Sequence, residues 1–159
     1  EIVVLDATEH DPRLEERFDL IVSLTVFEHI RPLATAVENL RTYLRPGGVL
    51  VASFPGGRTY FAVLNRIVPT PAKHWLLKNF HNDDDPADIF PAYYDQCHYR
   101  ALEKMFRPWG ETSIEPFHTG VGYLKSFPPL RWGYLKWEDQ AAARGWDDLA
   151  SNYVVRAVR

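Results

Sequence analysis

The chain contains one cysteine, Cys97, among its 159 residues, which excludes an internal disulfide and fits a reducing compartment, the cytoplasm. It has one methionine, Met105, and opens at Glu1 directly in a strand-like run, so a processed product or a fragment is indicated, and a fragment is the expectation. No apolar run approaches the ~20 residues of a membrane span, and no signal peptide is visible. A basic excess is also missing: 18 Lys and Arg against 21 Asp and Glu give a net charge of −3, which argues against broad electrostatic binding to nucleic acid. Internal repeats, low-complexity segments and linkers are absent, so residues 1–159 read as a single domain. Apolar residues make up 46% and charged residues 25%, the composition of a globular protein able to bury a core.

The most ordered pattern runs from Phe18 to Pro55. Phe18 to Leu24 is almost wholly apolar, as in a buried strand, and Ile2 to Leu5 reads the same way. Leu33, Val37, Leu40 and Leu44 recur with helical spacing, and Pro46-Gly47-Gly48 stops that helix. Val49 to Phe54 is a further strand, closed by Pro55-Gly56-Gly57. This is a βαβ unit with polar residues at the end of its first strand, the place where open α/β sheets bind ligands. Further along, Tyr99, Leu102, Met105 and Phe106 mark a helix, Thr112 to Phe117 a strand, Glu138 to Arg144 a helix and Tyr153 to Val158 a closing strand. Two short helices are expected around Phe61–Val68 and Trp75–Phe80, with an acidic loop from His81 to Asp88.

Strand-Asp6-Ala7, then FDLIVS with Glu28-His29 beyond it, then a helix and LRPGG before VLVASFP, together resemble class I S-adenosylmethionine-dependent methyltransferases. The resemblance covers residues 1–55 well and residues 99–159 only through the order of strand and helix. It implies an α/β, Rossmann-like sheet with helices on both faces, and S-adenosyl-L-methionine as cofactor. Asp6 and Ala7 match the positions that meet the adenine, a carboxylate being able to accept from an exocyclic N–H. Ser23, Leu24 and Thr25 match the strand end beside the methionine part of the cofactor, and Glu28 and His29 face the methyl-transfer region as catalytic candidates. The family's strand order is 3-2-1-4-5-7-6. Its first strand ends in a glycine-rich loop and its second in a ribose-binding acid, and this sequence contains neither, so strands 1 and 2 are expected to be missing. Gly120-Val121-Gly122 does not supply the loop, because Lys125 stands where its third glycine should be.

On this reading residues 1–57 form the cofactor side, 58–137 recognise a small-molecule acceptor, and 138–159 close the sheet. Tyr93, Tyr94 and His98, in the stretch before the late helix, are candidates to line the acceptor pocket, with plain packing as the competing role. Glu28 competes with a role at a helix start, where the dipole favours it, and Asp6 with that of a strand-end turn residue. His81, Asp83, Asp84, Asp85, Asp88 and His98 match no metal-binding spacing and read as a solvated acidic loop, so no metal is expected. Aromatic and basic residues alternate through 123–137, including Lys125, Arg131, Trp132, Lys136 and Trp137. Core packing leads there, and peripheral membrane contact is the alternative. Two other function classes stay open: a non-catalytic methyltransferase-like interaction module, and a nicotinamide-dependent dehydrogenase, which the Glu-His corner and Pro-Gly-Gly turn disfavour.

Overall fold

A computed structural model of the chain describes residues 2, 4–59, 62–63, 91–118 and 128–159. Four strands form one sheet: β1 (Phe18–Leu24), β2 (Leu44–Pro55), β3 (Thr112–Phe117) and β4 (Asn152–Val158). Among the described residues the helices α1 (Leu33–Tyr43), α2 (Tyr99–Phe106) and α3 (Pro128–Ala143) accompany them. The sheet order is β1-β2-β4-β3. β1 and β2 run parallel, while β4 is antiparallel to both β2 and β3. This is the 4-5-7-6 half of the expected order, with its one reversed strand.

The connections explain which face is buried. The steps from β1 through α1 to β2, and from β2 through α2 to β3, cross the sheet in the same direction. A right-handed crossover puts both helices on one face. The core agrees: Leu33 and Val37 of α1 and Leu102 and Phe106 of α2 cluster with Leu50, Ala52, Phe54, Tyr153, Val155 and Ala157. Those strand residues share a face, since Leu50, Ala52 and Phe54 pair with Ala157, Val155 and Tyr153. On the other face Leu20, Val22 and Leu24 of β1 are 57%, 56% and 61% exposed. Apolarity on both faces of β1 is therefore written in the sequence, but α1 and α2 cover only one of them.

The helix of the βαβ unit ends one residue sooner than its pattern. Leu44 is fully buried as the first residue of β2. The Pro46-Gly47-Gly48 segment then bulges out of the ladder, because Phe18 pairs with Leu44 and Leu20 with Val49. Gly47 takes φ +82 there, a conformation that glycine adopts without strain. α3 begins ten residues before the helix expected at Glu138 and is mostly exposed, with Glu138 and Ala141 buried.

The strand expected at Ile2–Leu5 is not part of the sheet. Its described residues lie outside any strand, and Ile2 and Val4 are 94% and 96% exposed. An apolar run becomes a buried strand only against a ladder partner, and β1, β2, β3 and β4 pair only among themselves. The following loop is instead held to the far end of α1. Ala7 O accepts from Asn39 Nδ2 at 3.0 Å, and Asp11 N donates to the Tyr43 hydroxyl at 2.8 Å. The helices expected at Phe61–Val68 and Trp75–Phe80, and the acidic loop, fall largely or wholly outside the described residues.

Candidate active site at the carboxyl end of β1

β1 delivers Ser23, Leu24 and Thr25 to the sheet's carboxyl rim. Ser23 is half-buried opposite Ala52, and Leu24 is exposed opposite Ser53. Thr25 N donates to Ser53 O at 2.7 Å, and its hydroxyl donates to Leu24 O at 2.8 Å. Thr25 takes φ +52, which a β-branched residue adopts only under strain, and such strain gathers at functional sites. The chain turns sharply here and enters a single 3-10 turn, Phe27–His29. Phe27 anchors that turn in the core, 5.1 Å from the ring of Phe54.

Glu28 and His29 therefore occupy a tight turn, five and four residues ahead of α1. Glu28 lies in the first turn of this 3-10 helix, not of α1, whose own first turn contains no acid. Glu28 is 4% exposed, and its Oε2 has no hydrogen-bond partner among the described residues. Burial pushes its carboxyl above the ordinary value, against the pull of its own backbone N–H and of His29. Oε1 lies 3.8 Å from His29 Nε2. His29 Nδ1 bonds to Pro91 O at 3.1 Å. A carbonyl only accepts, so the neutral ring holds its proton on Nδ1 and offers Nε2 as the basic nitrogen.

Residues 91–98 form a strap over this corner. Tyr93 N and Tyr94 N both donate to Glu28 O, at 2.8 and 2.9 Å. Asp95 Oδ2 accepts from Leu33 N at 3.0 Å, and Gly57 N donates to Cys97 O at 2.6 Å. A Cβ at Gly57 would crowd the strap, 3.1 Å from both the Tyr94 Cβ and the Tyr94 carbonyl oxygen. Tyr93 is exposed and stands at the corner. Tyr94, with φ +51, turns into the core and is 5% exposed. Tyr94 is thus corrected from pocket lining to core packing.

His98 is also reassigned. It is the N-cap of α2, with Nδ1 accepting from Ala101 N at 3.4 Å. Its Nδ1 lies 3.4 Å from Asp148 Oδ1 and its Nε2 3.4 Å from Arg58 Nη2. Burial, with the Arg58 charge adding to it, lowers its pKa, so the ring stays neutral at pH 7. Asp148 also binds Arg58 Nη1 at 2.7 Å and Arg100 N at 2.9 Å. Capping explains His98 without a ligand.

Asp6 forms a turn, as its plainer reading held: Oδ1 accepts from both the amide and the hydroxyl of Thr8, each at 2.8 Å. The backbone bond, then the hydroxyl bond, hold its carboxyl below the usual value, and the residue stays exposed. That leaves Oδ2 of an ionised carboxylate to meet a donor. The Cys97 thiol is buried, outside any disulfide, and donates to Asp95 O at 3.6 Å. Among the described residues no three His, Cys, Asp or Glu gather as a metal site, and His81 to Asp88 lie outside them, as does Gly120–Gly122. A cleft of 360 Å³ lies at the opposite edge of the sheet, between α2 and β3, lined by Tyr99, Glu103, Phe106 and Ile114 among others. It is remote from the β1 rim and adds nothing to the corner.

Asp95 and Pro91, which bond to α1 and to the His29 ring, are corner residues that the sequence did not single out. One signal pointed to the first: Arg31-Pro32-Leu33 offers α1 no Ser, Thr, Asp or Asn to cap it, so the cap had to come from elsewhere in the chain.

Residues 1–50 match the model of a family described as a methyltransferase domain. No curated protein matches the chain. Among solved structures, an S-adenosylmethionine-dependent methyltransferase from Archaeoglobus fulgidus aligns at TM-score 0.51 and 15% identity, covering 99% of this chain and 66% of that one. The CurJ carbon methyltransferase aligns at TM-score 0.51 and 18% identity, covering 97% of this chain and 33% of that one. The chain thus spans less than two thirds of either. At these identities the likeness establishes the fold, a Rossmann-like α/β sheet, and the family model supports the resemblance carried by the motifs at residues 1–55.

Proposed function

We propose that this chain, with a methyltransferase-domain match over residues 1–50 and a sheet built as in S-adenosylmethionine-dependent methyltransferases, serves methyl transfer from S-adenosyl-L-methionine to a small-molecule acceptor. The carrying observation is the buried Glu28 carboxyl, with Oε2 unpartnered among the described residues, beside His29 at the carboxyl rim of β1. The residues present fit the cofactor. The exposed Asp6 carboxylate is held ionised and suits an amino-group donor, and the strained Thr25 turn opens the rim beside Leu24. Asp6 and Ala7 would take the adenine end, and the backbone of Ser23, Leu24 and Thr25 the methionine end.

When bound, the sulfonium supplies an electrophilic methyl carbon. The chain's own work is to orient the acceptor and handle its proton. His29 Nε2 takes that proton from an acceptor hydroxyl or amine, and a carbon acceptor would use the same nitrogen. Glu28, whose carboxyl burial pushes above its ordinary value, gives His29 a close polar neighbour. Tyr93, exposed at the strap, borders the acceptor. Trp132 and Trp137 are exposed on α3, with Lys136 stacked 4.0 Å over Trp132, and this patch suits contact with an anionic lipid surface.

Calorimetric titration of the chain with S-adenosyl-L-methionine tests the reading. Saturable binding that weakens at least tenfold in Asp6→Ala is expected, and binding unaffected by that change removes the assigned adenine contact. For the transfer step, His29→Ala is expected to lower turnover about 100-fold, as loss of a general base does.

A further inference from the structure

α1 starts without a cap of its own. Its N-cap position is Pro32, which makes no capping bond, so the first amide of the helix needs an outside acceptor. Asp95, 62 residues further on, provides it through Oδ2, 3.0 Å from Leu33 N. A carboxylate suits this place better than a neutral group because the helix N-terminus carries partial positive charge. Asp95 also sits between two strained residues, Tyr94 at φ +51 and Gln96 at φ +57. Such conformations persist only where neighbouring contacts impose them. The bond to α1 fixes the point between them, and the paired Tyr93 and Tyr94 amides on Glu28 O fix the side nearer the corner.

We infer that Asp95 is the positioning residue of the Glu28–His29 corner: by pinning the strap to α1 it holds the Pro91 carbonyl on His29 Nδ1 and so sets Nε2 as the proton-accepting nitrogen. This rests on the proposed reading of the corner as the reactive end. Asp95 touches neither His29 nor Glu28 through its side chain in the bonds described. It acts through the strap's backbone, which reaches His29 at Pro91 and Glu28 at Tyr93 and Tyr94.

Nitrogen-15 NMR of the histidine side chains in the whole chain tests this without requiring turnover. The spectra are taken at pH 8.5, above the ordinary imidazole range of about 6.5, and His29 is assigned by the signal lost in His29→Gln. The unsubstituted chain is expected to show His29 protonated on Nδ1 alone. Asp95→Ala is expected to bring in the Nε2-protonated form and to speed amide exchange at Tyr93 and Tyr94 about tenfold, while β4 amides hold. Asp95→Asn keeps an acceptor oxygen and is expected to fall between the two. If the alanine variant does not fold, the asparagine variant decides the matter through the His29 tautomer. A merely structural cap would lower the melting temperature and leave the tautomer untouched, and that result overturns the inference. Where turnover is measured, Asp95→Ala is expected to lower kcat about 10- to 100-fold with cofactor affinity unchanged. Absence of methyl transfer in the unsubstituted chain alongside a shifting tautomer would defeat the proposed function and leave the positioning role standing.

Discussion

Burying a carboxyl costs free energy unless it finds partners or sheds its charge. Glu28 has one oxygen without a partner among the described residues, and burial displaces its pKa upward. Between the ordinary value of 4.5 and the raised one, the folded chain holds more protons than the unfolded chain, so stability falls as pH rises through that window. Glu28→Gln removes the titration. Relative to the unsubstituted chain it should gain about 1 kcal/mol on going from pH 4 to pH 7.5, the scale of a buried unsatisfied group. Urea midpoints at the two pH values measure this, and an equal difference at both would mean that the carboxyl is not displaced. The pair Glu28-His29 was legible in the sequence because it follows a recognisable strand. What each group can do was not legible, because the burial of Glu28 and the tautomer of His29 depend on a strap whose bonds span 62 residues. Tyr94 shows the same limit: its neighbour Tyr93 faces solvent, and only the left-handed turn at 94 decides that the second ring goes inward.

At the scale of elements, the apolar periodicities located α1, β1, β2 and α2, since period alone separates helix from strand when a face is buried. It failed at Ile2–Leu5, where the run has the composition of a strand and no neighbour to pair with. It also placed the start of α3 too late, because that helix buries little and so leaves no clean stripe. α2 is secured at its N-terminus by the cluster around Asp148. Burial alone would raise that carboxyl, but the Arg100 amide, Arg58 and His98 outweigh it and hold it below 3.8. A depressed carboxylate stabilises above its unfolded pKa and loses that contribution as pH falls through the folded one. Asp148→Ala should therefore cost about 1–2 kcal/mol at pH 7, the scale of a lost cap. The difference should shrink below pH 3.8, as followed by chemical denaturation at each pH.

For the whole molecule, the right-handed crossovers have a consequence at the surface. Leu20, Val22 and Leu24 stand on the face that α1 and α2 do not cover, on a strand that, among the described residues, is paired along one edge only. An exposed apolar strand of this kind invites association. The chain should bind the dye ANS in its native state, and Val22→Thr with Leu20→Thr should at least halve that signal without lowering the melting temperature by more than a few degrees. Unchanged fluorescence would place the dye elsewhere. The strap gives the molecule a schedule as well as a shape. β1, α1 and β2 are contiguous in sequence, and their contacts close over short loops. The corner cannot be completed until residues 91–97 arrive from far along the chain, at the greater entropic cost of closing a long loop. During synthesis, then, the sheet's first two strands can pair while Glu28 and His29 are still unset. The Glu28–His29 corner is complete only when residue 97 has cleared the ribosome, so shorter nascent chains would lack the strap that sets it.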